Sequence, residues 1–156
     1  MSSSTLCLSL PSATVGDSPS DLRVRTSWRR GPAAEAAGPV LVSYTEFTPD
    51  TLRDLPRIYR AAQRLRREIA ELEGAVGVAV YWQLLRGRGG SVSAWADETA
   101  LRHFVSLPFH LETMRAYRPR GSLRAIDWTT DSFELGRAFR EGQRGLDEGR
   151  GRARRG

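Results

Sequence analysis

The chain has 156 residues, 40% hydrophobic and 27% charged, and its net charge of +6 is carried by arginine alone because it contains no lysine. That length gives room for one domain of ordinary size, and the composition is neither fibrous nor low-complexity. No stretch approaches the roughly 18–20 unbroken apolar residues of a membrane-spanning helix.

The single Cys7 cannot form a bridge within its own chain, which fits a reducing compartment. The opening MSSSTLCLSLPSA lacks the positive start of a secretory signal, so a cytoplasmic location is expected. Residues 1–39 are dominated by Ser, Ala, Pro and Gly and read as a flexible arm. Within it, Leu22, Val24 and Trp28 could add an edge strand or drape over a neighbour.

From Val40 the run VLVSYTEF is β-branched and aromatic and ends at Thr48-Pro49-Asp50, which predicts a first strand. Leu52, Leu55, Ile58, Tyr59, Ala62, Leu65, Ile69 and Leu72 then recur at intervals of three and four. That is an amphipathic helix starting near Leu55, with Pro56 in its first turn and Gly74 as its C-cap. Ala75 to Leu85 predicts a strand, and RGRGG a glycine-rich hairpin turn into a second one, Ser91 to Trp95. The longer strand is apolar on both faces: Val76, Val78, Val80, Trp82 and Leu84 one way, Ala79, Tyr81 and Leu85 the other. A sheet covered on one side only would leave one face greasy, so a second subunit is expected over it.

Asp97 can cap a helix holding Ala100, Leu101, Phe104 and Val105, and Pro108 restarts it as a second segment to about Arg118. A last strand, Ser122 to Thr129, and a short polar helix, Asp131 to about Arg140, follow. The order strand, helix, strand, strand, helix, strand is the ferredoxin-like βαββαβ plan of an α+β domain over residues 40–141. Arg144, Arg150, Arg152, Arg154 and Arg155 crowd residues 142–156 among glycines and read as a disordered, solvated tail. Docking of that tail on nucleic acid or an anionic surface is the alternative.

The segment Ser93-Ala94-Trp95-Ala96-Asp97-Glu98-Thr99-Ala100-Leu101, then Phe104, then Phe109-His110 through Met114-Arg115, resembles the second half of the antibiotic-biosynthesis monooxygenase superfamily. With the preceding helix, Gly74 and the hairpin, the resemblance covers residues 40–130. It implies a dimeric α+β barrel of two four-stranded antiparallel sheets, with a pocket between each sheet and its own helices. It implies a homodimeric enzyme of secondary metabolism, a monooxygenase needing no metal or cofactor and acting on a hydrophobic aromatic or polyketide-like molecule. Alternatives on the same scaffold are a cyclase or isomerase, and a haem-binding protein. Haem-degrading relatives use a helix Trp and a following ligand His. His103 and Thr113 stand at those places here, so both depart from the pattern.

Only two histidines exist, which keeps acid–base proposals few. On a helix from Pro108, His110 shares a stripe with Thr113, Met114 and Tyr117, and is the candidate base; the plainer reading is a buried histidine bonded to backbone. His103 falls on the flank of its helix as a pocket-rim or solvated group. Tyr44 or Trp82 could be donor or platform for a flat substrate, with Trp95, Phe109, Met114, Tyr117 and Trp128 lining its site. Aromatic residues on strands also serve as core. Metal ligation is not indicated, because the two histidines have no ligand spacing and no cysteine cluster exists. An RNA-binding module shares the βαββαβ plan, but Ser91-Val92-Ser93-Ala94-Trp95 lacks the spaced aromatics such modules use.

Overall fold

A computed structural model describes residues 12–15 and 22–149. In chain order they form β1 (Ser12–Val15), β2 (Leu22–Arg25), β3 (Arg29–Arg30), β4 (Val40–Pro49), α1 (Leu55–Ile69), β5 (Ala75–Gln83), β6 (Arg88–Trp95), α2 (Glu98–Ser106), α3 (Pro108–Tyr117), β7 (Gly121–Thr130) and α4 (Leu135–Gly149). One sheet runs β1-β2-β5-β6-β4-β7, with β3 also on β5. Four successive strands of it, β5-β6-β4-β7, are the antiparallel βαββαβ set expected from the sequence.

The sheet is wider than four strands. Val24 pairs with Trp82 and Arg29 with Val78, so an edge strand forms on β5 at Val24, with Leu22 in the same strand paired to β1 and Trp28 in the link before β3. The arm read over residues 1–39 therefore contributes strands at residues 22–25 and 29–30, because β5 offers a free row of backbone donors and acceptors. Gly77 admits this edge. A Cβ there would meet the Trp28 indole at 2.5 Å.

The helices begin where the sequence places them. Asp97 caps α2, its Oδ1 accepting from the Ala100 amide at 2.8 Å, and Pro56 and Pro108 sit in the first turns of α1 and α3. The ends of some elements differ from expectation. α1 stops at Ile69, so Leu72 reaches the core from a turn, and Gly74, at φ 81°, opens β5 rather than capping the helix. β5 stops at Gln83; Leu84 and Leu85 lie in a short 3-10 turn and are exposed. The turn needs only Gly87, at φ 58°, and the rest of the glycine-rich run belongs to β6.

Both faces of the sheet are covered by this chain. On one lies a core of Ile69, Ala75, Val78, Trp95 and Phe104, where α1 and α2 pack. On the other, Val42, Tyr44, Tyr81, Val92 and Ala94 meet Ala138, Phe139 and Leu146 of α4. A β-bulge between Ala75 and Gly77 turns Val76 onto the α4 side, away from Val78. The doubly apolar strand was thus read correctly, but its second face is closed by α4 rather than requiring a partner subunit. The cover came from a segment read as a short polar helix with a disordered tail from residue 142. In fact α4 continues to Gly149, with Gly142 and Leu146 buried. Its apolar side chains are spaced widely among arginines and glycines, which hid the stripe. Residues 150–156 and Cys7 lie outside the described residues.

Candidate functional site

The fold divides the expected site residues between the two faces of the sheet. Tyr44 and Trp128 belong to the α4 side; Trp95 and Phe109 belong to the side of α1 and α2. His110 and Tyr44 therefore cannot share a pocket within one chain. His110 sits at the corner between α2 and α3, its ring 4.6 Å from that of Phe104, its Nδ1 3.0 Å from the Val105 carbonyl. Burial holds its pKa below the ordinary 6.5, with the Val105 bond opposing. This is the plainer reading of His110: a ring that ties two helices together. His103 is exposed at the surface of α2.

The indoles are occupied by packing. Trp95 is fully buried, stacked on Phe104 at 5.1 Å, with its Nε1 donating to Ser93 Oγ at 2.9 Å. Trp82 leans on Tyr59 over Gly89, where a Cβ would lie 2.3 Å from the indole. Met114 is partly buried on α3.

Two of the expected residues do come together around open space. A groove of about 400 Å³ between α1 and α3 is lined by Phe109 and Tyr117, with Ala61, Thr113 and Ala116 between them and Arg57, Arg60, Arg64 and Glu112 around them. The volume is within the roughly 300–1,000 Å³ usual for small-molecule sites. Tyr117 is fixed in it by donating from its hydroxyl to the Arg57 carbonyl at 3.2 Å and by an edge-to-face contact with Phe47. The Thr113 hydroxyl donates to the Phe109 carbonyl at 2.8 Å. Neither histidine lines the groove, and its Thr113 hydroxyl is committed to the helix. The donor set therefore does not fit a histidine-ligated haem. Among the described residues no cluster of His, Cys, Asp or Glu suits a metal ion.

A second cavity of about 390 Å³ lies at one end of the sheet, bounded by Trp28, Val40, Val76 and Phe133, with Arg30 and Asp131 among its other walls.

The sequence reading missed a buried charged network on the α4 side. Glu46, 1% exposed, lies between Arg88 and Arg124. Arg88 Nε is 3.2 Å from Glu46 Oε2, and Arg124 reaches the other carboxylate oxygen. Arg88 also donates to Gln83, whose Nε2 donates to Gln143 Oε1 at 3.3 Å. Burial pushes the Tyr44 phenol from 10.0 to about 12 and raises that of Tyr81 well above its usual value. Both phenols are thus neutral at physiological pH. The network bonds sheet to helix and borders neither cavity. Its signal was legible: Glu46 falls in the inward phase of VLVSYTEF, where a lone carboxylate demands a cation.

No family model and no curated protein matches the sequence. Solved structures do. A protein from Shewanella oneidensis, 12% identical, superposes with a TM-score of 0.54 over 58% of this chain and 90% of its own. A candidate antibiotic biosynthesis monooxygenase from Deinococcus radiodurans, 11% identical, gives 0.52 over 61% and 94%. An antibiotic biosynthesis monooxygenase, 9% identical, gives 0.51 over 60% and 99%. The chain shares the fold of these solved structures, two of them described as antibiotic biosynthesis monooxygenases. At such identities the likeness is one of architecture. Those structures are spanned almost whole, whereas about two fifths of this chain has no counterpart in them. No helix among the described residues is long and apolar enough to cross a membrane.

Proposed function

We propose that the protein is a small enzyme of secondary metabolism that binds a flat aromatic, polyketide-like molecule in the α1–α3 groove and oxidises it with molecular oxygen, without metal or cofactor. The observation that carries this reading is that Phe109 and Tyr117 lie along the α3 wall of a groove of ligand size on this fold. A balanced reaction of this class converts a ring methylene flanked by phenolic rings to a carbonyl. One oxygen atom enters the substrate, the other leaves as water, and the substrate supplies all four electrons. The step needs a carbanion or phenolate, held while it meets oxygen. His110 is not placed to make it. Glu112 is the one carboxylate lining the groove and is the proton acceptor in this proposal.

The test is oxygen uptake with a hydroxylated anthrone, for the natural protein and for Glu112→Gln and Phe109→Ala. We expect one oxygen consumed per substrate, with at least a tenfold loss in either variant. Turnover without oxygen uptake would replace the oxygenase by a cyclase or isomerase using the same groove. Absence of both binding and turnover would reject the groove as substrate site.

A homodimer belongs to the same proposal, but by a different surface from the one first expected. Among the described residues β7 pairs only with β4, and its Leu123, Ala125, Asp127 and Thr129 are exposed. A second copy adding its own β7 would satisfy that free edge across a two-fold axis. Light scattering of the purified protein at micromolar concentration decides it.

A further inference from the structure

The groove between α1 and α3 has apolar walls and a cationic border. Arg57, Arg60 and Arg64 follow one another along α1 at spacings of three and four, so their side chains share one stripe. Each is exposed, and among the described residues none of the three is within ion-pair distance of a carboxylate. Other surface arginines do find partners: Arg102 pairs with Glu98, Arg120 with Asp54, Arg140 with Glu134. Glu112 shares the groove without engaging the three, leaving a positive surplus next to Phe109 and Tyr117.

We infer that this groove selects molecules in which an acid group, a carboxylate or sulfonate, is attached to an aromatic ring system. The rings would lie against Phe109 and Tyr117 while the acid is held by the guanidinium groups of Arg60 and Arg64. Two considerations favour a small molecule over an acidic peptide. About 400 Å³ accommodates a few fused rings, and the arginine stripe spans only two helical turns. Guanidinium groups also suit planar oxyanions better than a point charge would, because their donors form a fork. This rests on the groove being the ligand site, and it adds the acid group to the substrate class.

Two fluorescent probes differing in one group separate these ideas: 1-anilinonaphthalene-8-sulfonate and its uncharged analogue N-phenyl-1-naphthylamine. Both are titrated into the natural protein, the double variant Arg60→Gln with Arg64→Gln, Phe109→Ala, and Ala116→Trp, which fills the groove from an exposed position. We expect the double variant to weaken the sulfonate about tenfold and to leave the neutral probe unchanged. High salt should weaken only the sulfonate, and either groove variant both probes. A double variant that treats the two probes alike, while Ala116→Trp weakens both, overturns the selection for acids and leaves the groove as a ligand site. Indifference of both probes to Phe109→Ala and Ala116→Trp removes the groove itself and with it the functional proposal.

Discussion

The phenolic hydroxyl of Tyr44 donates to Oε1 of Gln143, ninety-nine residues along the chain, at 3.3 Å. The same oxygen accepts from Gln83, so one side chain of α4 is bonded to two strands of the inner sheet. One residue back, Gly142 lets the helix approach: a Cβ there would lie 2.3 Å from the Tyr44 ring. Replacing Gln143 by Leu strands both donors under the helix and should cost about 1–3 kcal/mol. Gly142→Ala, which drives a methyl into the ring, should cost a similar amount by overpacking, about 1–3 kcal/mol. Urea unfolding followed by circular dichroism checks both.

Glu46 is a costlier position. Its removal leaves Arg88, itself 6% exposed, as a buried cation without its carboxylate. Glu46→Ala should destabilise by about 3–5 kcal/mol. A paired change, Glu46→Leu with Arg88→Met, should recover part of that loss, since it removes the two most deeply buried charges and leaves only the partly exposed Arg124 without its carboxylate. The double-variant cycle in urea measures the coupling.

His110 sets a pH dependence of stability in the acid range. Its pKa in the fold lies below the ordinary 6.5 because burial disfavours the imidazolium. As pH falls through 6.5 the unfolded chain takes up the proton first, so stability is intact above that value and declines below it until the folded pKa is passed. His110→Gln should flatten this slope, read from urea midpoints across the range.

At alkaline pH the sign follows from the phenols. Tyr44 titrates at about 12 in the fold against 10.0 when free. Its contribution is therefore present below 10 and is lost as pH rises from there through 12. The ultraviolet absorbance of phenolate should report late-ionising tyrosines in the folded protein, and Tyr44→Phe should remove part of that late phase.

The βαββαβ order, the capping by Asp97 and the entry prolines were legible in the sequence, because each rests on local chemistry. The groove was legible in part: Phe109 and Tyr117 were named as lining residues, while nothing local brings the arginines of α1 beside them. What stayed hidden was set by distant partners. Tyr44 looked like a free donor because nothing local announces Gln143, and for His110 the sequence named a backbone bond as the plainer reading but not the Val105 carbonyl, which depends on the angle between α2 and α3. The edge strands at residues 22–30 depended likewise on β5 lying open beside them.

Because α4 follows β7 in the chain, the apolar side of the inner sheet is complete before its cover has been synthesised. A nascent chain released up to Thr130 would display Val42, Tyr44, Tyr81 and Val92 to solvent, awaiting Phe139 and Leu146. Docking of α4 is therefore the late step in folding on the ribosome, and chains truncated ahead of it would be bound by chaperones or aggregate.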